Sequence, residues 1–574
     1  MFSWLVGALF LGSSAQLDVL TEAQSPLELR NPSVSAKDWQ QLGSDVGGRM
    51  FEGVPFAEPC FTGPWNSSEC VSIRENYVDE VTRTSEASAY IQTQWETCQV
   101  TGEQCLLNFL DPNDTQPTLA PRSCKQGSVP SYFIDVRGAD DVNAAFKFVK
   151  GNGVPLVIKN TGHDYKGRSS APGSLALWMH NLKNISYSPA FVPSGCTSEP
   201  RQAATLGAGV QWGEAYAFAD TQNITLVGGS DKVVGAAGGW LQGGGQGALS
   251  PSLGLGADRA LEFKIVTPDG KLRIANECQN TDLFWALRGG GGGTFGVVLE
   301  STVLASPQVK LQTLILTFAP DANVTKEMWT IMADNGLKWA EEGWGGFSMA
   351  NVVIFLNPKL SPSAAQVSMA PLIDFGKRLQ ATASATTTVL FTEFPSWNAF
   401  FQAFSKDFVA TVGSSLALAS RLIPKSIFET TEKKESLVSG LLAADAAAPG
   451  LIILISAPTA YTHTPNATSV TDAWRSSVYH VTVVSSWNWN ATLAEKQLHY
   501  QTASGSIDNL RRITPDAAYQ NEADVHEPNH EVSFWGTNYP ELLRIKQKYD
   551  PDHLLDCWHC VGWNQEDRRF SCYV

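Results

Sequence analysis

The chain has 574 residues, a formal charge of -15, and 17% charged against 43% hydrophobic side chains, values of a globular protein large enough for more than one core. That acidity, with no Lys/Arg cluster to offset it, excludes a phosphate backbone as partner, so no nucleic-acid function is expected. The opening MFSWLVGALFLGSSA is too short to span a bilayer, and its apolar run followed by Ser13-Ser14-Ala15 predicts a signal peptide over residues 1–15, although it carries no Lys or Arg. No later run is long enough for a membrane helix, so no membrane partner is expected.

Secretion is supported by ten cysteines and by seven N-x-[ST] sequons at Asn66, Asn113, Asn184, Asn223, Asn323, Asn466 and Asn490. Residues 16–125 read as a Cys-containing extension (Cys60, Cys70, Cys98, Cys105, Cys124) that carries no catalytic motif. From 126 to 306 the text is α/β. SYFIDVRGADDVNAAFKFVKGNGVPLVIKN predicts a strand, a helix with Val142, Ala145, Phe146 and Phe148 inward, a glycine turn, and a strand over Leu156–Lys159. From 307 to 508 the strands LQTLILTF, MANVVIFL, TTTVLFTEF, LIILISA and VYHVTVVSS alternate with helical stretches, predicting an α+β domain on one large antiparallel sheet. Residues 509–574 form a polar, turn-rich tail. Its CWHC run lacks the partners of a zinc or haem site and is read as structural disulfide, with Cys572 a candidate partner.

The run GGGGGTFG at 289–296 satisfies G-x-G-x-x-G at Gly291, Gly293 and Gly296. A dinucleotide fingerprint needs a strand before it and a helix after it. Here the helical TDLFWALR precedes and the strand-like FGVVLESTV follows, so a Rossmann site is excluded. Glycine at this density still needs a cause, since each one costs backbone entropy. Either the runs at 228–247 and 289–296 bring main chain close to a flat phosphorylated cofactor, or they are tight loops between strands.

Four ordered blocks decide between these: IKNTGHDYKGRSS, GGWLQGGGQGALSPSLGLGADRALEF, NTDLFWALRGGGGGTFGVV and SFWGTNYPELLRIKQKYDP. Together they resemble the FAD-linked oxidases of the vanillyl-alcohol oxidase superfamily, closest to its berberine-bridge-enzyme-like branch and to fungal isoamyl alcohol oxidase-like members. The resemblance runs from about residue 125 onward and implies a two-lobed FAD-binding domain at 126–306, completed by 509–574, with the substrate domain inserted between.

The resemblance implies FAD bonded through His163. Ile158, Lys159, Asn160, Thr161, Gly162 and Asp164 would surround its phosphates and ring, with Gly229, Gly235, Gly238, Gly239, Gly243 and Gly244 on the opposite wall. Gly296 to Val298 would approach the adenine half, and Tyr519 and Asn521 fill a Y-x-N motif against the flavin. Many relatives carry a second, cysteinyl tether. Its register falls on Asp231, so a single covalent link is expected.

A catalytic base is less legible. His480 shares a strand face with Val478 and Thr482, and Glu393 shares one with Val389 and Phe391. Either is a candidate base, as is Tyr519, and an outward-facing polar position explains the first two equally simply. The expected activity is oxidation of an alcohol or other activated C–H donor, a small molecule, with O2 as acceptor giving H2O2. An oxidative step in fungal secondary metabolism fits the same motifs. The alternatives are a flavin dehydrogenase with another acceptor and a non-catalytic secreted flavin- or glycan-binding protein. Oligomeric state carries no sequence signal.

Overall fold

The computed structural model describes residues 34–382, 386–404 and 411–574; the leader expected at 1–15 lies outside them. Strands β1 (Met50–Glu52), β2 (Tyr132–Asp135), β3 (Leu156–Lys159) and β4 (Leu175–Trp178) form a sheet in the order β1-β2-β4-β3. β2 and β3 both pair with β4 in parallel. The helix Ala139–Asn152 makes the crossover between them, burying Val142, Ala145, Phe146 and Phe148 on the inward stripe that its spacing predicts. It stops at Gly153, whose φ of 64° closes the last turn in the left-handed region.

A second lobe follows: β5 (Ile185–Phe191), β6 (Arg201–Gly207), β7 (Ile224–Thr225), β8 (Ala260–Val266), β9 (Leu272–Asn276), β10 (Val297–Leu304) and β11 (Ser306–Pro307). Five of these form an antiparallel sheet in the order β5-β6-β10-β8-β9, and β7 pairs with β11.

The third sheet is fully antiparallel and has seven strands: β12 (Leu311–Thr317), β13 (Gly345–Met349), β14 (Val352–Asn357), β15 (Thr388–Phe394), β16 (Ser415–Pro424), β17 (Ile452–Ile455) and β18 (Ser477–Trp487). Their order is β15-β12-β14-β13-β17-β18-β16. β13 and β16 escape the sequence reading because GGFSM and SLALAS are rich in glycine, serine and alanine, which leave little β-propensity signal. Strand alternation gives the sheet two apolar faces. Leu314, Leu316, Val353, Phe355, Ile453, Val481 and Val483 pack on helices carrying Trp329, Trp339, Phe375 and Leu437. Ile315, Ile354 and Leu356 point the other way, toward the second lobe. Each such side chain contributes roughly 1.5–3 kcal/mol by leaving water, so the inserted sheet is held from both sides.

The C-terminal segment returns to the first two lobes. The Trp535 indole N–H donates to the Gly289 carbonyl at 3.1 Å, and Lys546 Nζ donates to the Thr294 carbonyl at 2.8 Å. All ten cysteines are paired: Cys60–Cys70, Cys98–Cys572, Cys105–Cys124, Cys196–Cys278 and Cys557–Cys560. The CWHC cysteines thus bond to each other, and Cys572 reaches back to Cys98. That bridge joins residues 474 apart in sequence. Replacing both Cys98 and Cys572 by Ser is expected to lower stability by about 2–5 kcal/mol. A thermal melt under oxidising conditions checks this, an unchanged Tm being the contrary result.

Candidate active site

Where the three sheets meet, a cavity of about 630 Å³ opens between the glycine loops and the seven-stranded sheet. β3 delivers the loop that forms one wall. Gly162, with φ of 83°, turns the chain after Thr161 in a conformation that L side chains rarely adopt. His163 follows at once and lines the cavity. Its Nε2 lies 3.8 Å from Asp231 Oδ1, and the two side chains are 12% and 14% exposed. Burial pushes the His163 pKa below the usual histidine range and the Asp231 carboxylate only partly opposes it, so the imidazole is neutral at neutral pH.

The facing wall is Gly229, Ser230, Asp231, Gly235, Gly238 and Gly239, with Gly296 and Val298 beyond. A Cβ on Gly238 would overlap the Asn160 side chain, so glycine is required where these walls approach. Asn160 Nδ2 donates to the Ala208 carbonyl, while Asn160 Oδ1, His163 Nε2 and Asp231 Oδ2 are buried without a hydrogen-bond partner. Buried polar atoms are nearly always paired. A row of unpaired ones on glycine-lined walls fits a long polar cofactor such as FAD.

Ile158, Asn160, Thr161, Gly162 and Asp164 line the same cavity. Two groups of predicted contacts do not. Lys159 points away from it: its Nζ donates to the carbonyls of Glu86, Ala87 and Ala89 at 2.7, 2.7 and 2.5 Å and lies over the Tyr90 ring. Strand alternation sends this side chain into the protein, and burial pulls its pKa down to about 7. Lys159 therefore pins the N-terminal extension under the loop. Gly243 and Gly244 sit one layer behind the wall, Gly243 against the Asn521 side chain and Gly244 against Val470 and Tyr519.

The Y-x-N pair closes the floor. The Tyr519 hydroxyl accepts from Gly245 N–H at 3.2 Å and from Asn521 Nδ2 at 2.8 Å. Asn521 Nδ2 also donates to the Gly239 carbonyl at 2.9 Å, and its Oδ1 accepts from Arg168 Nη2 at 3.0 Å. Arg168 in turn grips Asp164; burial alone would raise that carboxyl, yet the guanidinium holds it below the usual range. Tyr519 is fully buried and burial raises its pKa, so it stays protonated.

Of the other candidate bases, Glu393 does not reach the cavity. It lies on the edge strand β15, bound to Lys310 at 2.9 Å and Gln312 at 2.6 Å. These partners hold its carboxyl below the usual range. His480 faces the cavity side of β18 but is wholly buried, and burial drives its pKa down to about 3.

One acidic residue had no motif to announce it. Glu522 lines the cavity and accepts from Gln246 Nε2 at 3.1 and 3.3 Å, and its Oε2 lies 3.6 Å from His480 Nδ1. Burial pushes its pKa up to about 7, the Gln246 hydrogen bond offsetting only part of the effect. The other carboxylates lining the cavity are otherwise engaged: Asp164 by Arg168, Asp556 by the Asn564 N–H, Asp231 facing His163. A carboxyl poised near neutrality in a cleft is suited to proton abstraction. The only sequence cue was an acidic residue directly after the Y-x-N motif.

Comparison with known proteins agrees with this geometry. Residues 130–276 match an FAD binding domain and residues 518–557 a berberine and berberine-like domain. The chain is 37% identical to the FAD-linked oxidoreductase ffsJ of Aspergillus flavipes over 96% of both chains. It superposes on the VAO-type flavoprotein MtVAO615 of Myceliophthora thermophila C1 with a TM-score of 0.82 and 29% identity, covering 95% of this chain and 98% of the other. A glucooligosaccharide oxidase of Acremonium strictum, described with a 6-S-cysteinyl, 8α-N1-histidyl FAD, shares the fold at a TM-score of 0.59 and 20% identity over 75% of this chain and 91% of the other. Near-complete coverage by relatives of this kind and a cavity walled by their motifs lead to one conclusion: the chain belongs to the FAD-linked oxidoreductases of the vanillyl-alcohol oxidase superfamily, in the berberine-bridge-like branch.

Proposed function

We propose that the protein is a secreted, N-glycosylated oxidase that takes a hydride from an alcohol or other activated C–H donor and passes the electrons to O2, releasing H2O2. The observation that carries this reading is the placement of one carboxyl of raised pKa, Glu522, in the cavity that His163 and the glycine walls also line. All seven sequon asparagines are exposed and all ten cysteines are paired, which supports the secretory route. Among the described residues no helix is long and apolar enough to cross a membrane.

Bound FAD supplies the hydride acceptor. His163 would hold it covalently, and Asn160, Gly235 and Gly238 would line its path. A second, cysteinyl tether has no candidate: Asp231 stands at that position and no cysteine is free. Glu522, kept in place by Gln246, takes the donor's proton, while Tyr519 and Asn521 brace the floor through Gly239 and Gly245. Peroxide release tests the activity. With the purified holoenzyme and a panel of alcohols, phenolics and sugars, one H2O2 per donor oxidised is expected. Flavin reduction that only a quinone or dye relieves would instead identify a dehydrogenase, and no reduction by any donor a binding protein.

A further inference from the structure

The ceiling of the cavity has a chemistry of its own. Five neighbouring strands, β14, β13, β17, β18 and β16, turn alternate side chains into it, among them Phe347, Ile354, Leu418, Leu454 and Val484. The register ties these side chains together: Phe347 pairs with both Ile354 and Leu454, and Leu418 with Val484, while at the β17–β18 seam Leu454 meets His480 and Ile452 meets Thr482. At about 4.8 Å between strands the surface spans about 20 Å. The helix Trp397–Phe404 adds Phe400 to its flank. Among the described residues of the inserted domain no charged side chain lines the cavity; the polar contributions are Ser456, Thr482, Thr411 and the Trp397 indole. Phe347, Leu454 and Val484 are only half-buried, although they face inward. Apolar surface left open in an interior chamber marks where an apolar ligand is covered.

A sugar presents a hydroxyl on nearly every ring carbon, and each one buried without a partner costs about 1–3 kcal/mol. Among the described residues this ceiling offers three hydroxyl side chains and the Trp397 indole N–H, with no amide or charged side chain to meet them. A short alcohol would leave most of the surface uncovered.

We infer that the donor is a large, predominantly apolar alcohol of fused or linked rings, seated under the Phe347–Leu454–Val484 surface with its single oxidisable carbon turned toward Glu522. The inference rests on the oxidase reading for the reaction but on the ceiling alone for the ligand class, and binding separates the two.

The test uses the flavin-loaded enzyme and follows the change in flavin absorbance on adding either 2-naphthalenemethanol or cellobiose. The naphthyl alcohol is expected to bind at least tenfold more tightly. Val484→Asp, which sets an unpaired charge on the ceiling, should weaken that binding at least tenfold with covalent flavin content unchanged. Leu418→Asn is the milder second variant and should move affinity in the same direction. Equal or tighter binding of cellobiose, no binding of either, or naphthyl affinity indifferent to both variants overturns the inference. Naphthyl binding without flavin reduction by any donor leaves the ligand class standing and removes the oxidase reading.

Discussion

His163→Ala is expected to abolish covalent flavin: after denaturation the cofactor should leave with the supernatant, and the polypeptide band should lose its flavin fluorescence on a gel. The expectation is all-or-none because the cavity offers no second nucleophile of the right kind. Every cysteine is in a disulfide, and the family resemblance puts Asp231, not a cysteine, in register with the cysteinyl tether. The imidazole is neutral at working pH, since burial lowers its pKa, so a ring nitrogen is free of its proton for bonding. Loss of the tether also frees the flavin to shift against the substrate ceiling, and misplacement of this kind costs on the order of 10²-fold in kcat/KM. A fluorescent band that survives denaturation in the variant would show that the bond lies elsewhere.

The second large effect is expected at Glu522. Replacing it by Gln keeps the hydrogen bonding to Gln246 within reach but removes the base, and a fall of about 10²- to 10⁴-fold in kcat is expected with little change in KM. Wild-type activity should rise with pH through about 7, where the carboxyl ionises, and the variant should lose that limb. The groups facing this carboxyl are His480 on β18, Tyr165 on the His163 loop and Tyr519 on its own segment. Burial keeps both tyrosines protonated and His480 neutral over this range, so of these facing groups only Glu522 titrates there.

Stability gives an independent check on the same residue. Its folded pKa is raised, so the stabilisation it contributes is fully present below pH 4.5 and is lost as pH climbs through about 7. Glu522→Gln should therefore melt higher than wild type at pH 8 and close to it at pH 4. A variant that is less stable at pH 8, with an unaltered pH–rate profile, would make Glu522 merely structural.

Much of the fold and one side of the site were legible in the chain. Strands β2 and β3 and the helix between them follow from a local pattern of strand, amphipathic helix and glycine turn, whereas β4, which pairs with both, has no such cue; glycine density announced the walls because close main-chain approach admits no Cβ. What escaped was decided by contacts between distant segments. Lys159 sits where a phosphate contact was expected, yet its ammonium is taken by carbonyls about 70 residues earlier. Gly243 looks like part of the wall in sequence but is claimed by Asn521. Glu522 gains its character only from Gln246, 276 residues away, and from the burial around them. Glu393 and His480 read alike as polar residues on apolar strands; only the strand order puts one at an open edge and the other beside Glu522.

The two-faced inserted sheet has an evolutionary consequence. Positions of one parity along β13, β14, β16, β17 and β18 hold the helices, and positions of the other parity meet the ligand, while the cofactor walls come from other stretches of chain. Substitutions at the ligand-facing positions of β17 and β18 can therefore accumulate without unsettling either the helix packing or the flavin loops, whereas Ile354 and Leu356 on β14 also hold the second lobe. A lineage can thus acquire new donors through a handful of strand residues and keep its redox chemistry unchanged.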